Sequence, residues 1–208
     1  LLNPAGELHR IVGTGVNIND RKELEFALRE QAEREKLLNS ITASIRQSLD
    51  LQEIAMHSLN KILELFAVNR ALLAVASPEQ QEFELVRLVC DDGKEIINDA
   101  KLATCDYPLA QALFQEYDCL VVSDVANENL APQVRDVVEK WDARSLLATP
   151  IWYDETLQGV LCLQMCDQVH DWTPREQDLI QEISDQLAIA LRQSQLYQQL
   201  QQELSERG

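Results

Sequence analysis

Histidine, glycine and proline are scarce in this chain of 208 residues, numbering three, six and six. Only His9, His57 and His170 are available for imidazole catalysis or metal ligation, and lone histidines serve mostly as surface or capping residues. No Gly-rich loop that could cradle a phosphate occurs. No run of about 18 apolar residues is present, so no membrane-spanning helix is expected. The first residues lack a basic stretch followed by an apolar one, so no signal peptide is expected. The chain begins with Leu1 rather than Met, as expected for an excised fragment of a larger protein. Basic residues are few as well: Lys and Arg total 18 against 35 Asp and Glu, a formal net charge of −17. Phosphate contacts need clustered cations, so neither nucleic acid nor an anionic membrane is an expected partner. The acid is spread over helix faces and reads as solubility.

The remaining composition suits a soluble globular protein with a full core and one to two domains. Five cysteines, Cys90, Cys105, Cys119, Cys162 and Cys166, form an odd set without a close-spaced framework. A reduced, cytoplasmic setting follows as the expectation. Cys162 and Cys166 share one face of a strand with Gln164 between them, about 13 Å apart. That is too far for one metal ion or a disulfide, and the cysteines read as small buried hydrophobes. No metal site is expected.

Residues 1–19 read as two short strands around the Asn3-Pro-Ala-Gly6 turn. Asp20 is the expected N-cap of a long helix, with Glu23 three residues on. Leu24, Leu28, Gln31, Glu35, Leu38, Thr42, Ile45 and Leu49 then alternate by four and three, a heptad seam weakened by three polar positions. Asp50 breaks this run and caps a second helix, Leu51 to Phe66, whose Ile54, Ala55, Leu59, Ile62, Leu63 and Phe66 form a core-facing stripe. Strands are expected at 70–76, 83–90, 119–125, 145–152 and 156–166, and short helices at 107–116 and 132–141. Thr173, Pro174 and Glu176 stand at N-cap, N1 and N3 of a last helix running to residue 207. Antiparallel hairpins with helices on both sides give an α+β fold around a central antiparallel sheet.

The last helix holds no Gly or Pro and would reach roughly 50 Å. Its apolar positions continue through Leu200 and Leu204, and a helix that long is marginal without a partner. The long entering and leaving helices together predict a parallel homodimer. Leu24, Leu28, Leu38, Ile45, Ile183, Leu187, Ala190, Tyr197, Leu200 and Leu204 are its candidate helix residues. Folding of both helices back into one monomer is the alternative.

The segments Ser145-Leu-Leu-Ala-Thr-Pro150-Ile, Gly159-Val-Leu-Cys-Leu-Gln164, Trp172-Thr-Pro-Arg-Glu176, Leu187-Ala-Ile-Ala-Leu191 and Leu196-Tyr197 resemble, in order and spacing, the second half of a GAF domain. The resemblance spans about residues 36–197. The segment ending Asn17-Ile18-Asn19-Asp20-Arg21-Lys22 resembles the exit of a PAS domain. Its Arg21 and Lys22 fit, and Asn17 to Asn19 depart from the usual Asp-Ile-Thr. The organisation implied is PAS-like strands at 1–19, a helical linker and first GAF helix at 20–49, a GAF domain at 50–197 and an outgoing signalling helix at 198–208.

A GAF domain implies a sensory module regulating something else. The expected function is therefore a non-catalytic regulatory segment of a cytoplasmic signal-transduction protein, by family architecture a two-component histidine kinase. Its signal would pass through dimeric helices to a downstream effector domain of the same chain. His57-Ser-Leu-Asn-Lys does not resemble a kinase phosphoacceptor, and no ATP-binding region is present. The family's pocket for an unidentified small molecule would be lined by Leu88, Cys90, Leu109, Leu113, Gln133, Val134, Val137, Leu147 and Thr149, or else filled by apolar side chains. Bilin-binding relatives carry a Cys-His pair where Gln133 and Val134 stand here, so covalent bilin attachment is not expected. The ligand stays unspecified. A bilin photosensor, and a redox sensor or enzyme using Cys105, Cys119 and Cys162, are the alternatives.

Overall fold

The computed structural model describes residues 18–45, 48–77, 83–93, 95–97, 118–127 and 142–206, with positions 110, 111, 114, 115, 130, 132, 135 and 138. The strands expected before residue 18, and most of the two short helices, lie outside these residues. The chain divides into two compact units, Leu1–Leu37 and Leu38–Gly208. Helix α1, Ile18–Ile45, crosses the boundary between them. It already includes Asp20, which corrects the expected cap. An N-cap residue has non-helical backbone angles, and Asp20 has helical neighbours on both sides. In the first unit Leu24 and Leu28 are exposed.

Helix α2, Leu51–Phe66, begins where Asp50 Oδ1 accepts from the N–H groups of Gln52 and Glu53, at 2.8 and 3.1 Å. Those two donors would otherwise lack partners in the first turn. The helix ends at Ala67, which adopts a left-handed φ of 50°.

Six strands form one antiparallel sheet among the described residues. They are β1 Arg70–Ala76, β2 Phe83–Cys90, β3 Glu95–Ile97, β4 Leu120–Val122, β5 Ser145–Tyr153 and β6 Thr156–Met165, in the order β3-β2-β1-β6-β5-β4. β3 has only three residues, too few to show alternation in sequence. β4 is shorter than expected because Asp124 turns the chain. Its side chain accepts from Ala126 N–H at 3.0 Å and Asn127 Nδ2 at 2.6 Å. Gly159 sits where β6 crosses β1: a Cβ there would lie 2.6 Å from the Ala74 carbonyl oxygen.

The sheet divides two cores. The first packs Leu73, Val86, Leu147, Ile151, Leu161 and Leu163 against α2, the last turns of α1 and helix α3, Pro174–Glu206. The second lies on the opposite face and contains Leu72, Leu85, Leu88, Leu146, Ala148 and Cys162 with Ala110, Phe114 and Val138. No helix among the described residues is long and apolar enough to cross a membrane.

Candidate functional site

Strand register arranges the face of the second core in rows. Val122, Leu146, Gln164, Arg70 and Cys90 are neighbours across β4, β5, β6, β1 and β2. The next row is Leu120, Ala148, Cys162, Leu72 and Leu88. One row is therefore partly polar and the other almost wholly apolar. Arg70 Nη1 donates to Gln164 Oε1 at 3.4 Å, and Gln164 Nε2 lies 3.9 Å from Cys162 Sγ. Gln164 is only 2% exposed, so this link keeps a buried carboxamide satisfied. The pairing of Arg70 with Gln164 has no local signal in sequence beyond an amide that follows the apolar run Val160 to Leu163.

Of the expected pocket residues, Leu88 and Cys90 lie on this face. Leu147 and Thr149 do not. Leu147 is buried in the first core, and Thr149 Oγ1 donates to Gln181 Oε1 of α3 at 2.9 Å. Side chains alternate along a strand, so Leu146 and Ala148 are the residues of that stretch facing the second core. Leu109, Leu113, Gln133, Val134 and Val137 lie outside the described residues.

The four described cysteines are free thiols. Complete burial pushes Cys162 up to about 12, against a smaller opposing effect of Gln164. Burial also raises Cys119, outweighing its hydrogen bond with Thr149, and raises Cys166, outweighing the neighbouring Arg70 guanidinium. These environments favour the protonated thiol, the less nucleophilic form. No cluster of three or more His, Cys, Asp or Glu able to hold a metal ion occurs among the described residues.

Helix α3 starts at a reciprocal capping arrangement. Glu176 N–H donates to Thr173 Oγ1 at 3.3 Å, while Glu176 Oε2 accepts from Thr173 N–H and Oγ1, both at 2.7 Å. His170 Nε2 lies 2.9 Å from the other carboxylate oxygen, and the His170 ring meets Trp172 edge-on at 4.5 Å between centroids. Burial acts to raise the Glu176 carboxyl, yet the bonds from Thr173 and His170 together hold it below its ordinary range.

The rest of α3 carries apolar residues on two opposite sides. Leu179, Ile180, Ile183, Leu187, Ala190 and Leu191 are buried in the first core. At 3.6 residues per turn, Ile189, Leu196 and Leu200 fall opposite Leu187 and Leu191, with Leu204 to one side, and all four are exposed, Leu204 by 66%. This corrects the expected dimer residues. Ile45, Ile183, Leu187 and Ala190 are buried within one chain, with Leu38 packed against the same core, because the core needs them to cover the sheet. Leu24, Leu28, Tyr197, Leu200 and Leu204 remain exposed. Residues 193–202, which bear Leu196 and Leu200 of the outward stripe, contain no charged side chain.

Comparison with known proteins matches this architecture. Circadian input-output histidine kinase CikA of Synechococcus elongatus is 31% identical over 201 residues, covering 86% of this chain and 26% of the relative. The protein of that name from Thermosynechococcus vestitus is also 31% identical, over 189 residues, covering 85% and 25%. The chain thus spans about a quarter of the length of the curated relatives it matches. Among solved structures, the phycoerythrobilin-bound GAF domain from a cyanobacterial phytochrome superposes with a TM-score of 0.62 at 21% identity, covering 79% of this chain and 97% of that one. The GAF domain from Acinetobacter phosphoenolpyruvate-protein phosphotransferase also gives 0.62, at 15% identity, covering 80% and 98%. Residues 33–191 match the GAF domain family, and the chain belongs to it.

Proposed function

We propose that this chain is a non-catalytic sensory module of a cytoplasmic signal-transduction protein, a histidine kinase like its relatives, and that α3 carries its output. The observation supporting this most strongly is the double-sided character of α3. Its first half is part of the domain core, so any rearrangement of the sheet must move it. Its last turns leave the domain with an apolar stripe that stays exposed among the described residues. A second copy suits that stripe better than a basic protein does. In a chain of net charge −17, residues 193–202 are neutral and impose no like-charge repulsion between two identical helices. Parallel pairing would let both copies pass a shift in register or tilt to a downstream domain of the same chain, a population shift between two packings. Segment 1–19 is read as the end of a PAS-like domain feeding α1.

The raised thiols support a non-catalytic reading over a cysteine-based redox enzyme. The second core would house an unidentified small molecule. Covalent bilin attachment is not part of the proposal, since Gln133 and Val134 offer no thiol or imidazole. Sedimentation velocity from micromolar to millimolar concentration tests the reading: a monomer–dimer equilibrium is expected, and a strict monomer throughout would remove its basis.

A further inference from the structure

A groove of about 590 Å³ runs between the β5–β6 hairpin and the last turns of α3, within the size range of small-molecule sites. Its lining includes Leu157, a residue of the second core, and Ala76, which packs against that core. Most of its lining residues are polar, and Ala76, Leu157 and the Tyr153 ring supply the apolar surface.

Three observations define its chemistry. Arg192, which lines the groove, has no carboxylate partner among the described residues, in a chain where acids outnumber bases 35 to 18. Its guanidinium lies over the Tyr153 ring, with Cζ 5.8 Å from the centroid, a cation–π contact that is not itself an N–H hydrogen bond to a carboxylate. Asp154, also in the lining, makes no side-chain hydrogen bond or ion pair among the described residues. It sits in a two-residue hairpin turn in which Asp154 and Glu155 have φ of 46° and 61°. Such turns recruit Asn-Gly or Asp-Gly, so Asp154 suits its position and Glu155 stands where glycine is usual. Finally, five carboxamides, Gln195, Gln198 and Gln199 among them, supply paired donors and acceptors.

We propose that this groove binds a free α-amino acid with a polar side chain. Arg192 takes the carboxylate, Asp154 takes the ammonium group, and the carboxamides of α3 take the side chain. A simple anion would meet Asp154 and the acidic surface, and a simple cation would meet Arg192. A zwitterion answers both charges at once. The ligand would bridge hairpin and helix, tying the outgoing turns of α3 to the domain. The inference rests on this groove alone and not on the sensory reading above.

Isothermal titration of the 208-residue chain with L-glutamine, and then with the other standard amino acids, tests it. Saturable one-to-one binding is expected. Amidating the carboxylate or acetylating the amine of the tightest binder should weaken it about tenfold or more, as loss of a charge-assisted hydrogen bond does. Arg192→Gln should erase the difference between the free and amidated ligand. Asp154→Asn should erase the difference between the free and acetylated ligand, with melting temperatures of both variants unchanged. No binding by any amino acid up to about 10 mM, or either difference surviving its variant, would overturn the proposal.

Discussion

The two halves of α3 share one helix and have opposite surroundings. From Leu179 to Ser194 its inward side is sealed against the sheet, with Ile180, Ile183 and Leu187 completely buried. From Leu196 onward every residue as far as Glu206 is exposed, including Leu196, Leu200 and Leu204. Helix propensity alone cannot explain continuity into the second half, because an isolated segment of that length is marginal in water. The first half supplies the nucleus, and the second extends it as a lever whose apolar stripe is completed only by another surface. One periodic pattern in sequence thus serves two purposes.

Truncations separate the halves most sharply. Leu187→Ala should cost about 2–5 kcal/mol of unfolding free energy in denaturant titration, since it opens a cavity in the first core. Gly159→Val should cost about 1–3 kcal/mol or more, because the Ala74 carbonyl occupies the space of its Cβ. Leu196→Glu with Leu200→Glu should leave the monomer fold intact and weaken self-association at least about tenfold, read by sedimentation. At the helix start, Thr173→Ala should cost about 1 kcal/mol. Glu176 gives the pH dependence there. Its folded value lies below the ordinary 4.5, so its contribution is present above that value and is lost as pH falls through the folded one. Glu176→Gln should flatten the acid limb of a stability profile. Leu204→Ala should change monomer stability by less than about 0.5 kcal/mol, as exposed sites do.

Much of the fold was legible because its signals are local. Asp50, Thr173 and Glu176 act as the caps their spacing predicts, and the strand limits at 70–76 and 83–90 match their apolar runs. Other features depend on tertiary context. Which side of β5 faces which core depends on strand phase, and a one-residue difference exchanged Leu147 and Thr149 for Leu146 and Ala148. Heptad spacing could not distinguish Ile183 and Leu187, which cover the sheet, from Leu200 and Leu204, which do not. Burial makes that distinction, and burial depends on where the domain ends. The link between Arg70 and Gln164 joins residues 94 positions apart, and no local pattern records it. The polar groove was invisible for the same reason, since Asp154 and Arg192 meet only through the packing of hairpin against helix.

Amide hydrogen exchange along α3 at several protein concentrations measures the contrast directly. Amides of residues 179–191 should stay protected at every concentration. Those of 196–206 should exchange quickly when dilute and gain protection as concentration rises through the association range. Fast exchange of 196–206 at all concentrations, with no gain on crowding the copies together, would contradict the claim that this stripe is completed by a second chain.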